Sequence, residues 1–100
     1  MNMQMNLIKH GDDGELQLIG YIDASNAAEV ESVLVDVASQ FNSLTLDMEK
    51  LEYISSAGLR VLLSAQKTMN GQGSMKVINV SDTIMEIFEI TGFNEIMTIE

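Results

Sequence analysis

The sequence predicts an α/β domain whose mainly parallel β-sheet begins with an antiparallel hairpin and carries helices packed on it. Five short segments are typical of strands, and three longer ones have apolar residues at helical steps of three and four. In chain order they read ββαβαβαβ. After the hairpin, strands and helices alternate, which requires right-handed crossovers between parallel strands.

The chain is expected to fold as one domain over residues 1–100. This length is typical of a single domain, and 46% of the residues are apolar, enough to form a core without covalent cross-links. The sequence contains no proline, no low-complexity tract and no internal repeat that would mark a linker.

The first two strands are predicted to form a hairpin. Apolar and polar residues alternate over residues 3–8, and residues 15–20 have the composition of a second strand. Asp12, Asp13 and Gly14 lie between them and favour a tight turn.

The first helix is predicted to follow Ser25. Its hydroxyl can accept a hydrogen bond from a free N–H of the first turn, so Ser25 is the expected N-cap. The apolar stripe of this helix consists of Ala27, Val30, Leu34, Val37, Ala38 and Phe41. Alternation of apolar and polar residues then predicts a strand over 43–48.

A second helix is predicted over residues 56–70. Gly71 and Gly73 follow it, as is typical of helix C-termini. The expected inner face consists of Leu59, Leu62, Leu63, Ala65, Gln66 and Met69.

The last third of the chain predicts a strand, a short helix and a final strand. The strand covers residues 75–80. Ser81 is the expected N-cap of the helix and Gly92 its end. The final strand is expected over residues 95–99.

Composition excludes several classes of function. Without cysteine there is no disulfide scaffold, thiol catalysis or Cys-based zinc site, and His10 as the single histidine excludes a triad or a multi-histidine metal site. Fifteen acidic residues against five basic ones argue against nucleic acid as a partner. Short apolar runs and the lack of a signal peptide argue against membrane insertion and predict a cytoplasmic protein.

No residue pattern points to a cofactor, a metal site or catalytic residues. The acidic residues near the first turn are more typical of a solvated loop than of a calcium site. No Gly-rich phosphate-binding loop occurs, and no set of residues supplies a nucleophile, a base and an electrophile together. The chain is therefore not expected to be an enzyme.

Two hydroxyl groups stand where the second helix begins, at Ser55 and Ser56. A serine here is commonly no more than an N-cap. A phosphate on Ser56 would nevertheless be stabilised by the free N–H groups and the positive dipole end of the helix. Arg60, four residues later, would lie on the same helical face and could pair with it.

The charges are unevenly distributed along the chain. Between Tyr53 and Ser81 there is no acidic residue, while the remainder holds all fifteen acids and only two lysines. The basic residues of the interval are Arg60, Lys67 and Lys76. A negative modification of the serine segment would therefore change a docking surface through electrostatics.

Four stretches of the sequence resemble motifs of the STAS domain family, and more narrowly of bacterial anti-sigma factor antagonists. Residues 20–27 (GYIDASNA) are similar to the G-x-(I/L)-D turn before the first helix, and residues 46–54 (LDMEKLEYI) to the central strand and its following turn. Residues 54–59 (ISSAGL) resemble the signature (M/I)-(D/S)-S-(S/T/A)-G-L, and residues 88–93 (FEITGF) resemble F-x-(I/L)-(T/S)-G-(L/F). The similarity covers nearly the whole chain, in the family's order and spacing.

The resemblance implies a partner-switching regulator of transcription with the STAS fold. In the family, an anti-sigma factor that is a GHKL-type serine kinase phosphorylates the serine that corresponds to Ser56. The unphosphorylated protein binds this kinase and frees its sigma factor. Phosphorylation breaks the complex, and a PP2C-type phosphatase restores the unphosphorylated form.

The resemblance also implies partner-binding residues. Asp23 and Asn26 match positions at the kinase-facing edge of the sheet, although a turn residue and a first-turn helix residue are equally good interpretations. The expected partner-binding residues are Asp23, Asn26, Ser55, Ala57, Gly58 and Arg60.

Three departures from the family pattern have expected consequences. Ser55 replaces a frequent aspartate and is a candidate second phosphorylation site. Arg60 stands where many relatives have glycine, which is expected to narrow the choice of kinase. The family's C-terminal helix is expected to be missing or very short, which would expose part of a sheet face to self-association or to a partner helix.

The main alternative is a constitutive STAS subunit of a lipid-asymmetry ABC transporter or of another signalling assembly that involves no sigma factor. There the same surface would hold an ATPase, and no serine switch would operate.

Overall fold

Six strands form one sheet in the computed structural model, which describes residues 3–100. The strands are β1 (Met3–His10), β2 (Asp13–Ile22), β3 (Ser43–Asp47), β4 (Leu51–Ile54), β5 (Ser74–Ile78) and β6 (Thr98–Ile99). The helices are α1 (Ala27–Ala38), α2 (Ser56–Asn70) and α3 (Asp82–Thr91), followed by a 3₁₀ turn (Phe93–Glu95). The strand order is β1-β2-β3-β5-β6, with β4 also paired to β2. Only the β1–β2 pair is antiparallel, which confirms the predicted α/β class.

The hairpin turn lies earlier than predicted. His10 pairs with Asp13, so the loop consists of Gly11 and Asp12, and Gly11 has a φ of 65°. Asp13 and Gly14 already belong to β2. Gly14 packs under the ring of Phe41, where a Cβ atom would lie 2.7 Å from the nearest ring carbon.

β4 is a strand that the sequence does not reveal, so the order ββαβαβαβ is wrong by one strand. β3 ends at Asp47, and the chain resumes pairing with β2 at Leu51. The register shifts there: Gly20 pairs with Leu51 and Tyr21 with Tyr53. Glu52 is therefore an extra residue, a β-bulge that removes the alternation of buried and exposed side chains.

One face of the sheet carries the core. The buried side chains of β2 and β3 alternate along the strands, with Leu16, Leu18 and Ile22 on β2, and Leu44 and Leu46 on β3. The crossovers that contain α1 and α2 run in the same direction across the sheet, so right-handed connections place both helices on one face, where they contact each other. Their buried apolar residues are Val30, Leu34, Val37 and Ala38 on α1, and Leu59, Val61, Leu62, Ala65 and Met69 on α2.

The helix boundaries confirm most of the predicted signals. α2 has the predicted bounds, with Gly71 as its C-cap. Ser81 caps α3 by accepting a hydrogen bond from the Ile84 N–H (3.3 Å), and Gly92, with a φ of 79°, ends that helix.

Two predictions for the first helix are wrong. The N-cap of α1 is Asn26, because the Ser25 hydroxyl is instead bonded to the carboxylate of Asp23. α1 ends at Ala38, so Phe41 is buried from the following loop rather than from the helix.

The last two strands are shorter than predicted. β5 ends at Ile78 because Asn79 adopts a φ of 58°. Residues 93–95 form the 3₁₀ turn instead of a strand, which leaves only Thr98 and Ile99 to pair with β5.

We expect Gly73→Ala to lower the free energy of unfolding by about 2 kcal/mol or more, measured by urea denaturation. A Cβ atom at this position would clash with the backbone carbonyl of Asn42, which accepts a hydrogen bond from Ser74 N–H (3.0 Å). Gly71→Ala is the matched control, because its Cβ would lie 3.6 Å from the Thr68 carbonyl oxygen. Equal stabilities of the two variants would contradict the proposed clash.

Candidate functional site

The serine loop, residues 54–58, leaves the carboxyl end of β4 and enters α2. Ser55 N–H donates a hydrogen bond to the carbonyl of Ile22 (2.9 Å), which extends the pairing of β2 with β4 by one residue. The turn that follows β2 begins at Asp23. The β2–β4 pairing thus brings two segments together that are about thirty residues apart in the sequence.

Ser55 and Ser56 have different environments. Ser55 is the N-cap of α2: its backbone is extended, and its Oγ accepts a hydrogen bond from Gly58 N–H (3.4 Å). Ser56 is the first helical residue and is exposed, and its hydroxyl has no hydrogen-bond partner among residues 3–100. Its Oγ is therefore free for chemistry, whereas that of Ser55 stabilises the helix.

Gly58 determines how closely the helix approaches the sheet. A Cβ atom at this position would lie 2.5 Å from Ile54 Cγ1 and 3.0 Å from Ile22 Cγ2. The glycine is buried, so the first turn of α2 rests directly on the last residues of β2 and β4. Gly58 thus allows the serine loop to lie close to the sheet, while its neighbour Ala57 is half-buried at the surface.

A network of hydrogen bonds holds the turn between β2 and α1. Asn26 is buried, with 5% of its residue surface exposed. Its Nδ2 donates to the Tyr21 carbonyl and its Oδ1 accepts from Asp23 N–H, both at 2.9 Å. Asp23 Oδ1 accepts from the hydroxyl and the N–H of Ser25, at 2.6 and 2.8 Å. Both predicted residues therefore have structural roles in this turn, and Asp23 remains within reach of solvent.

Asp23 is held in its ionised form. Hydrogen bonds from Ser25 to the carboxylate lower the pKa of Asp23 below its ordinary value. The bond from the Ser25 hydroxyl has the larger effect, and the bond from its backbone N–H the smaller one. The turn thus presents a fixed negative charge beside the serine loop.

A small cleft separates the first turns of α1 and α2. It has a volume of about 190 Å³ and is lined by Ala27, Ala28, Glu31, Ala57, Arg60 and Val61. Arg60 is exposed at this cleft, and Glu31 accepts a hydrogen bond from Ser64 Oγ (2.8 Å). The cleft joins the serine loop to α1, so a partner that contacts Ser56 can also reach Arg60.

Tyr21 and Tyr53, which pair across β2 and β4, were not identified from the sequence. Their proximity depends on the unpredicted strand β4, so no local pattern could have indicated it. His10 is the last residue of β1 and lies beside the hairpin turn, at the end of the β1–β2 pair that is remote from the tyrosines.

The described part of the chain contains no group of three or more His, Cys, Asp or Glu side chains placed to hold a metal ion. Within residues 3–100, no helix has both the length and the apolar character needed to cross a membrane.

We expect Ser25→Ala to raise the pKa of Asp23 toward its ordinary value, because it removes the strongest hydrogen bond to the carboxylate. A carboxyl group whose pKa is lower in the folded than in the unfolded protein stabilises the fold at pH values above its unfolded pKa. This contribution is lost as the pH falls through the folded pKa. NMR titration of the Asp23 carboxyl carbon measures the shift. Ser39→Ala, whose hydroxyl donates to a backbone carbonyl, is the control; an unchanged pKa in Ser25→Ala would contradict this origin of the shift.

Comparison with known proteins identifies the family. Residues 4–100 match the STAS domain. The chain is 30% identical over 100 residues to the anti-sigma-B factor antagonist of Bacillus subtilis (strain 168), covering 99% of this chain and 92% of that protein.

Solved structures have the same fold. An anti-sigma factor antagonist from Mycobacterium paratuberculosis superposes with a TM-score of 0.87 at 17% identity, covering 97% of this chain and 84% of that one. The Bacillus cell fate determinant SpoIIAA in its phosphorylated form gives a TM-score of 0.71 at 16% identity, with coverages of 98% and 90%. The match over residues 4–100 and the relative at 30% identity show that the chain belongs to the STAS domain family.

Proposed function

We propose that this protein is an anti-sigma factor antagonist controlled by phosphorylation of Ser56. The observation that carries the proposal is the contrast between the two serines of the loop. Ser56 presents an exposed hydroxyl without a hydrogen-bond partner among residues 3–100, whereas Ser55 caps the helix.

The proposed partner is an anti-sigma factor with GHKL-type serine kinase activity. The unphosphorylated protein binds it and frees a sigma factor, and a PP2C-type phosphatase later removes the phosphate. The relative in Bacillus subtilis is named an anti-sigma-B factor antagonist, and SpoIIAA has been solved in a phosphorylated form. Both names support the role of an anti-sigma factor antagonist, and we propose a cytoplasmic regulator of transcription rather than an enzyme.

The proposed modification changes charge without disturbing the core. The γ-phosphoryl group of ATP passes to Ser56 Oγ, the hydroxyl proton is released and ADP leaves. The phosphate adds about two negative charges at the N-terminus of α2, where helix N–H groups and the dipole favour an anion. The fold therefore tolerates the phosphorylated state.

The same charge opposes binding of the partner. An interface formed around the neutral hydroxyl of Ser56 would have to bury a dianion for which the partner supplies no countercharge, and burying such a charge costs several kcal/mol. A loss of about 3 kcal/mol already weakens binding by roughly a hundredfold. The switch therefore needs no change of fold.

Ser56 is the proposed acceptor in preference to Ser55. A phosphate on Ser55 would occupy the oxygen that accepts the hydrogen bond from Gly58 N–H. It would replace the cap of the helix whose first turn forms the site.

We expect phosphate on Ser56 when the purified protein is incubated with ATP and extract of its native cells. Mass spectrometry locates the site, and Ser56→Ala is expected to abolish phosphorylation. Ser55→Ala should still be phosphorylated, although loss of the cap lowers its stability by about 1 kcal/mol. Phosphate confined to Ser55 would contradict Ser56 as the acceptor. No phosphate at all, in an extract that phosphorylates other substrates, would favour a constitutive subunit.

We expect Ser56→Asp and Ser56→Glu to weaken binding of the anti-sigma factor by about a hundredfold, because each places a charge where the neutral hydroxyl is recognised. Calorimetric titration measures the dissociation constants. Thr83→Asp is the matched control, since it adds the same charge to the exposed first turn of α3. Equal affinities of the Ser56→Asp variant and the wild type would refute the charge mechanism.

A further inference from the structure

Two tyrosines lie side by side on the sheet, next to the serine loop. Tyr21 on β2 and Tyr53 on β4 are Cα partners in the parallel pair. The residues that follow them, Ile22 and Ile54, are buried in the core. Since side chains alternate between the faces of a strand, both tyrosines belong to the face opposite that core.

The bulge in β4 creates this pair. Because Glu52 is an extra residue, Tyr53 rather than Glu52 becomes the partner of Tyr21. On β2 the shift follows Gly20, whose φ of 108° a residue with a side chain rarely adopts. Bulges of this kind redirect side chains, often next to functional sites.

The exposure of Tyr53 indicates a surface suited to contact. Tyr53 is 49% exposed, and Tyr21 beside it is half-buried. Tyrosine is enriched among residues that dominate interface energies, since it buries a large area at a small cost in conformational entropy. Tyr53 lies three residues before Ser56, within about 10 Å along an extended chain.

The charges beside the tyrosines favour a cation. Asp23 follows Ile22 directly and is ionised, and Glu52 is exposed next to Tyr53. Lys50 is the nearby basic residue; its carbonyl accepts a hydrogen bond from Gly20 N–H. An arginine or lysine can pack on a tyrosine ring through a cation–π contact and reach a carboxylate with its charged end.

We propose that Tyr21 and Tyr53 form a second contact for the partner that recognises Ser56, and that they receive an arginine or lysine side chain of that partner. This inference rests on the proposed function. It extends the interface from the serine loop, around the carboxyl ends of β2 and β4, to the face of the sheet opposite the core.

A photo-crosslinking side chain, benzoylphenylalanine, placed at Tyr53 tests the contact in living native cells. We expect it to capture one protein, and the added change Ser56→Asp to abolish the capture. Ile8 is the control position, since it is 41% exposed on the edge strand β1 and pairs with Glu15, roughly 20 Å along β2 from Tyr21. Capture of the same protein from Ile8, no capture from Tyr53, or capture insensitive to Ser56→Asp would each overturn the inference.

Affinity for the captured protein, once purified, separates the contact from a role in folding. We expect Tyr53→Ala to weaken binding at least tenfold, and Tyr53→Phe, which keeps the ring, to remain within about threefold of the wild type. Ile8→Ala should change affinity less than twofold, and urea denaturation checks the fold of each variant. If Tyr53→Ala binds normally while Ser56→Asp does not, the tyrosine contact is refuted and the proposed function stands. If neither variant weakens binding, both are refuted.

Discussion

The rest of the site depends on the close approach of α2 to the sheet at Gly58. Any larger residue there would collide with Ile22 and Ile54, so the helix begins directly above the carboxyl ends of β2 and β4. Two consequences follow from this position. Ser55 caps the helix, and the side chain of Ser56 emerges into solvent from the first helical residue. The site is therefore a product of packing geometry as much as of the chemistry of its serines.

Features that depend on local sequence could be predicted. Neighbouring residues determine the bounds of α2, the cap at Ser81 and the end of α3 at Gly92. Each of these is recognisable from capping residues, glycines and the spacing of apolar side chains. β4 could not be found, because the bulge at Glu52 removes the alternation that identifies a strand. Ser25 is not the N-cap of α1, because its hydroxyl donates to the nearby carboxylate of Asp23.

The candidate site likewise has one part that local sequence predicts and another part that depends on long-range pairing. Ser56 and Arg60 are part of one contiguous segment, so their relation could be inferred from helical spacing. Their proximity to Asp23 depends on the pairing of β2 with β4, and so does the register of Tyr21 and Tyr53. Long-range pairing is set by the whole sheet, which no short stretch of sequence encodes.

The cap at Ser55 has a further consequence for the proposed phosphorylation of Ser56. Because its bond to Gly58 N–H keeps the first turn of α2 formed, Ser56 is displayed on a folded helix end and not on an extended strand. An enzyme that acts on Ser56 has to accommodate this shape in its acceptor groove. Its selectivity would then depend on three-dimensional form, and a linear consensus around the serine would describe it poorly.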